Sequence, residues 1–421
     1  MAPPRPVKKP RRAPHDEKHP RNTEIMSLSR LKLAALSGVA ALLASAPASA
    51  DLNILYLSDM SGPTSVLTGE SSQRAIEMAI DDFGGEVGGE KIVLKVADHL
   101  SKPDVALAVA REFVDSGDAD MIFSVDHSAA AMAVSDLVRD ENLTFIVSAA
   151  AMPMINDKCG PRQVQMLMDT YGLSRAITGP LVAAGKKKWY FITVDYALGQ
   201  NLQAFGEEAL AASGGEVVGS AMHSPQTTDF SAYLLEAKSK GAEAIGLATF
   251  GSWQIAIAKQ AQEFGIDIPL APYLLGDTDV KAAGLEGFQN VAGAIQFYWD
   301  QNDATRAFAA RFQERYNRPP TFTNAMAYEM VTHYLNAAKA AGTEDATAIV
   351  GKMHETPIPL INGDTAAIRE DGRVMRPMYS YVTKTPQESS GDWDYFTITG
   401  KIEADTIAPP LADSTCPLVK K

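Results

Sequence analysis

From Asp51 onward the chain alternates short apolar runs with segments whose apolar residues recur every three or four positions. The run "LNILYLSDM" (52–60) has strand length, and "SSQRAIEMAIDDF" (71–83) sets Ala75, Ile76, Met78, Ala79 and Phe83 at helical spacing. Between them, "SGPTSVLTGE" (61–70) is rich in Ser, Gly, Pro and Thr and is expected to be a turn. "GGEVGGE" (84–90) reads as a second turn and "KIVLKVAD" (91–98) as a strand. A helix follows in "KPDVALAVAREFVD" (102–115), with Pro103 near its first turn. Next come a strand in "ADMIFS" (119–124), a helix in "SAAAMAVSDLVRDE" (128–141) and a strand in "LTFIVSAA" (143–150). Strands alternating with helices argue for a parallel sheet covered on both faces.

The rhythm then repeats. Strands are expected in "KKWYFITVD" (187–195), "GEVVGSAMH" (215–223), "AEAIGLAT" (242–249) and "IPLAPYLL" (268–275). Helices fall between them in "LGQNLQAFGEEALAAS" (198–213), "FSAYLLEAKSK" (230–240) and "WQIAIAKQAQEF" (253–264). Two helical stretches (304–316 and 324–341) and a late β-rich part ("MYSYVTK", "WDYFTIT") close the pattern. The expected class is α/β with two Rossmann-like units in series, which a chain of 421 residues is long enough to build around two cores.

Charge separates the ends from the body. Residues 1–50 hold nine Lys/Arg and three acids, so 29 of the 38 basic and 48 of the 51 acidic residues lie beyond them. An acidic body repels phosphate backbones and argues against a nucleic-acid partner. From Met26, "MSLSRLKLAALSGVAALLASAPASA" has a short basic region, an apolar run and Ala48-Ser49-Ala50 at its end, the pattern of a secretory signal (26–50). The Pro- and Arg-rich residues 1–25 read as a disordered extension, or as sequence ahead of the true start. Only Cys159 and Cys416 occur, both in the exported part. An oxidising compartment favours one disulfide between them over two buried thiols.

Asp126, His127 and Ser128 stand side by side in "VDHSAAAMAVSDL" and have the residue types of a hydrolytic triad. Neighbours on an extended segment point to opposite sides, and triads are assembled from separated segments. A strand end opening on a helix N-terminus suits the stretch better, either as a ligand-facing loop or as a plain cap with Ser128 accepting from a backbone N–H. A hydrolase using His127 with a distant nucleophile is the enzyme alternative. Ser61 and Thr64, in the Ser/Gly/Pro/Thr loop, offer hydroxyls to a ligand. No histidine of the exported part (His99, His127, His223, His333, His354) pairs with another His or Cys at ligand spacing, so neither metal nor cofactor is expected. Tyr196, Trp253, Tyr298 and Trp299 lie near strand ends, where aromatics give a cleft its contact area.

In order along the chain, "SGPTSVLTGE", "GGEVGGEKIVLKVADHLSKPDVA", "VDYALGQNL", "PQTTDFSAYLLEAKSKGAEAI" and "AQEFGI" resemble the periplasmic solute-binding proteins of ABC importers, of the branched-chain amino acid (Leu/Ile/Val) receptor type. The resemblance runs from about residue 51 to about residue 400. It implies a type I periplasmic binding fold, a Venus flytrap whose chain crosses between lobes near 168–172, 299–303 and 361–377. The lobes would be 51–168 plus 303–361 and 169–302 plus 362–400, with a disulfide-tied tail at 401–421. Carried over by position, Ser128 matches the serine that binds the ligand carboxylate, Ala150 a backbone contact and Tyr196 a tyrosine of the second lobe. Met152 replaces an expected threonine, Trp253 a tyrosine, and Asp277 lies near the acid that holds the ammonium. The implied ligand is an amino acid, an aromatic acid or an amide, and the implied partner an inner-membrane permease of a Gram-negative cell. An extracytoplasmic sensor of the same fold is the alternative.

Overall fold

The computed structural model describes residues 51–62, 64–289 and 291–420. The extension and the signal segment lie outside the described residues. The first sheet contains β1 (Leu52–Ser58), β2 (Glu86–Val87), β3 (Glu90–Asp98), β4 (Met121–Ser124), β5 (Thr144–Val147) and β6 (Gln163–Gln165) in the order β2-β3-β1-β4-β5-β6. Every pairing except the β2–β3 hairpin is parallel. Helices α1 (Ser65–Phe83), α2 (Pro103–Asp115) and α3 (Ser128–Val138) alternate with these strands. All seven residues of β1 are buried, as are all of β4 and β5. Cover on both faces is why these strands are continuous apolar runs and not alternating ones.

Two turn expectations are corrected. "SGPTSVLTGE" is helical from Ser65, and α1 is broken at Gly69 (φ −48°, ψ −130°). Leu67 is buried there, and the Tyr56 hydroxyl donates to the Thr68 carbonyl, so tertiary contacts override turn-like composition. "GGEVGGE" carries β2, and Gly88 and Gly89 (φ 62° and 97°) make the two-residue hairpin turn that needs left-handed backbone at both positions.

The second body begins with α4 (Thr170–Ala183), a helix that the strand–helix rhythm did not pick out. It continues through β7 (Lys188–Val194), α5 (Ala197–Ala212), β8 (Glu216–His223), α6 (Ser231–Ser239), β9 (Ala244–Ala248), α7 (Ser252–Glu263) and β10 (Leu270–Pro272). Its sheet is parallel, in the order β10-β9-β7-β8. Short α8 (Asp277–Ala283) and α9 (Leu285–Phe288) lead to β11 (Ala292–Ile295).

The chain then returns to the first body. Helices α10 (Asp303–Tyr316) and α11 (Phe322–Ala341) pack on α1, and α12 (Ala346–Glu355) packs on α11 and β5. Strands β12 (Ile358–Pro359), β13 (Thr365–Ile368) and β14 (Val374–Met375) form a small antiparallel sheet. Strands β15 (Met378–Thr383) and β16 (Phe396–Ile402) complete another with β11. The late strand "WDYFTIT" thus starts only at Phe396. Where the chain passes between the bodies, Arg373 and Asp169 form a fully buried ion pair, and Arg376 pairs with Glu329. The expected disulfide joins Cys159 to Cys416. On its way there the tail passes over α4, where a Cβ on Gly172 would come within 2.8 Å of the Ile407 carbonyl.

Candidate functional site

The carboxyl ends of β1, β4 and β5 face those of β9 and β10 across a cleft. Its unfilled space is about 660 Å³, counted to the mouth. Tyr56, Phe123, Ser124 and Ser148 line it from the first sheet; Thr64, Leu67, Thr68 and Ser72 come from α1 and the residue before it. Phe322, Thr323 and Met326 enter from α11. The opposite wall is Leu198 at the start of α5, Phe250 after β9 and Leu274 after β10. This is the position at which open parallel sheets hold ligands. The lining is mostly apolar with several hydroxyls, and its one charged side chain is Asp126.

Asp126 gathers the loops that follow three strands. Its Oδ1 accepts from the Ser58 hydroxyl (2.9 Å), the Asp59 N–H (3.0 Å) and His99 Nε2 (2.9 Å). Its Oδ2 accepts from the hydroxyls of Thr64 and Thr68. Burial works against ionisation of Asp126, but the hydrogen bonds from His99, Thr64 and the Asp59 N–H more than offset it and hold the carboxyl well below its usual range. Asp59 in turn accepts the N–H groups of Gly62 and Thr64, so the turn leading into α1 is tied back by a carboxylate of its own chain.

The triplet does not act as neighbours. Asp126 faces His99, while the His127 ring stacks on Tyr196 from the second body (5.7 Å between centroids, 15° between planes). The cap is also corrected: His127, not Ser128, is the N-cap of α3, its Nδ1 accepting from the Ala130 N–H at 3.4 Å. Ser128 is the first residue of the helix and is buried. His99, the other imidazole, has both nitrogens engaged, since Nδ1 accepts from the Ser101 N–H (3.0 Å). Neither ring is paired with a serine nucleophile.

The other expected residues divide. Thr64 and Ala150 line the cleft, though the Ala150 carbonyl already accepts from Thr170. Ser61 turns outward and donates to Asp98 (2.6 Å). Tyr196 precedes α5 and sets its ring edge-on to Phe250 (6.5 Å, 80°). Trp253 stands behind Phe250 (5.5 Å, 80°) and gives its indole N–H to the Pro225 carbonyl (3.1 Å), so the aromatic wall presented to the cleft is Phe250. Met152 lies elsewhere, in a groove with Ile155, Tyr171, Phe205 and Pro409. Asp277 opens α8 and is buried, with no hydrogen-bond partner for Oδ1 among the described residues. Burial pushes its carboxyl up to about 6, opposed by the charge of Arg318. Burial likewise pushes Asp279 up to about 7. Reading the sequence missed Phe250, Leu198 and the α11 residues. Phe250 directly follows a strand end and carried a signal; Phe322 and Met326 reach the cleft only because α11 packs on α1.

Among the described residues no helix is long and apolar enough to cross a membrane, and no group of His, Cys, Asp and Glu is arranged to hold a metal ion. A family model described as periplasmic binding protein matches residues 51–390. A Leu/Ile/Val-binding protein homolog 7 from Brucella melitensis is 27% identical over 347 residues, covering 76% of this chain and 86% of the relative. The crystal structure of a periplasmic binding protein from Burkholderia mallei superposes with a TM-score of 0.84 at 33% identity, over 88% of this chain and 99% of that one. A branched chain amino acid ABC transporter periplasmic ligand-binding protein from Burkholderia xenovorans LB400 gives 0.80 at 34% identity, over 88% and 100%.

Proposed function

The chain belongs to the periplasmic binding protein family, of the branched-chain amino acid ABC transporter type, and from that premise we propose that it captures a small organic solute by lobe closure and hands it to an importer. The observation that carries this reading is the mostly apolar cleft between two parallel sheets, spanned at one side by the His127–Tyr196 stack. Each lobe contributes one ring, so separating the lobes breaks that contact and closing them makes it.

The solute is an amino acid, an aromatic acid or an amide. Its apolar part packs on Phe250, Leu198 and Met326, and its polar end meets Ser128 and the free N–H groups at the start of α3. An amine on the solute is assigned to Asp277, whose buried Oδ1 has no hydrogen-bond partner among the described residues. The three passages between the bodies serve as hinges, and the protein does not turn its solute over. Of the relatives, the one from Burkholderia xenovorans carries branched-chain amino acid transport in its name, which supports the amino acid reading.

Thermal unfolding against amino acids, aromatic acids and short amides tests this. A compound at 1,000 times its Kd stabilises by about 4 kcal/mol, which moves the midpoint by several degrees. A shift with amino acids alone assigns Asp277 to an ammonium; a shift with aromatic acids or amides alone removes that role. If nothing shifts, and mass spectrometry of the denatured protein finds no small molecule carried through purification, the proposed solute class is wrong.

A further inference from the structure

His99 is fully buried, follows β3 and does not line the cleft, yet it holds the carboxylate that does. Its Nε2 lies 2.9 Å from Asp126 Oδ1, and its Nδ1 accepts the Ser101 N–H at 3.0 Å. A nitrogen that accepts an N–H carries no proton, so this ring is the neutral Nε2–H tautomer, donating to Asp126.

The backbone beside this pair is strained. Six non-glycine residues among those described have positive φ, and four of them flank it: Leu100 (54°), Ser101 (53°), Ser124 (90°) and Val125 (50°). Two left-handed residues in succession are unusual, and a β-branched Val125 in that region is a genuine outlier. Such conformations persist only where the surroundings over-determine them, and they collect at sites where geometry matters. Here the hydrogen bonds of His99 and Asp126 impose them, and the strained segments end at Lys102 before α2 and at His127–Ser128 opening α3.

We infer that His99 is a positioning residue of the cleft: as a neutral ring it locks the loops after β1, β3 and β4 around Asp126, presents Ser128 and the α3 N-terminus to the solute, and lets go when Nδ1 is protonated. The inference rests on the cleft being the solute site. A proton on Nδ1 would meet the Ser101 N–H donor to donor, and the left-handed turn at Leu100–Ser101 would have to open. The charged and titratable groups facing His99 are Asp126, Asp59, Asp98 and His127. Burial disfavours the proton, but the three carboxylates favour it and raise His99 above its ordinary value. The donor-to-donor clash with the Ser101 N–H exists only in the locked loops, whereas the carboxylates stay near the ring in either arrangement. The released loops therefore hold the proton more tightly, and solute affinity weakens as pH falls through that titration.

The test uses the full chain and three probes: L-leucine, benzoate and benzamide. Histidine-selective 15N spectra at pH 8 are expected to show a single protonated nitrogen, Nε2, for His99. Calorimetric titration from pH 5 to pH 8 is expected to show affinity for the bound probe falling tenfold or more as His99 becomes doubly protonated. His99→Gln keeps a donor for Asp126 and an acceptor for Ser101, so it should stay within threefold of wild type at pH 8 with a flat profile. His99→Ala should bind at least tenfold more weakly. A proton on Nδ1 at pH 8, His99→Ala binding like wild type, or His99→Gln with the wild-type pH profile would each overturn the inference. Should His99→Ala not fold, the spectra and the His99→Gln profile still decide. A wild type that binds none of the three probes would count against the proposed solute class instead, and the spectra would still decide the tautomer.

Discussion

The Ser128 hydroxyl opens α3, is buried and makes no hydrogen bond to any described residue. A hydroxyl that meets a charged or strongly polar ligand group contributes about 1.5–3 kcal/mol. Ser128→Ala is therefore expected to weaken binding of the best compound in the solute panel tenfold or more with little change in unfolding temperature. Unchanged affinity would remove Ser128 from the site. Asp277 makes the opposite kind of case, since its buried carboxylate costs the fold energy when ionised. Its pKa is raised from 3.8 to about 6, so the penalty is absent below about pH 4, grows as pH rises between those values and is complete above the higher one. Asp277→Asn should stabilise the ligand-free protein by about 2–3 kcal/mol at pH 8 and by almost nothing at pH 4. Equal gains at both pH values in paired melts would contradict this. The sequence made Ser128, Thr64 and Tyr196 visible because they stand next to strand ends. It hid the pairing of His99 with Asp126, because which loops converge on a carboxylate depends on the strand order β3-β1-β4 and not on spacing along the chain.

At the scale of elements, α5 shows how the second lobe is held to its sheet. A Cβ at Gly199 would sit 2.2 Å from the Val194 carbonyl oxygen and 2.9 Å from that of Ala248. Both are backbone atoms at the ends of β7 and β9, and neither can swing aside as a side chain would. Gly199→Ala is expected to lift α5 off the strand ends and cost about 2 kcal/mol or more, read as a lower urea midpoint. A midpoint within error of wild type would mean that α5 can shift at no cost. Leu198 lines the cleft one residue earlier, so the same variant should also bind its solute more weakly. Long elements with clear periodicity were legible from the sequence; those set by packing were not. Helix α4 carries Pro180 inside it and packs on α5, β10 and β11, so its pattern answers to several neighbours at once. Strands β6, β12 and β14 are two or three residues long, too short to show any period. Gly69 breaks α1 just where the sequence suggested a turn, so the composition marked a real irregularity but not its kind.

For the whole molecule, the question is what joins two lobes that, under the proposed closure, also turn against each other. Asp169 caps α4 through the Gly172 N–H (2.9 Å) and pairs with Arg373, 204 residues away, both side chains fully buried. Gln165 N–H donates to the Gly372 carbonyl beside them, and Asn302 reaches the Asn362 carbonyl, so the three stretches proposed as passages between the bodies are laced to one another. Removing one member of a buried pair strands the other charge and costs about 3–5 kcal/mol, whereas removing both costs much less. Arg373→Met and Asp169→Leu should each destabilise strongly, and the double variant should lose clearly less than the sum of the two, with a coupling of about 2 kcal/mol or more by chemical unfolding. The pair lies where the lobes join and not at the rings that meet across the cleft, so it should be present in the open and closed states alike. Small-angle scattering then separates an axle from a latch. If the double variant keeps the same decrease in radius of gyration on adding solute, the pair is part of the axle about which the lobes turn. A ligand-free double variant already more extended than wild type would make the pair a latch of the closed form, and the hinge would have to be sought elsewhere along the three passages.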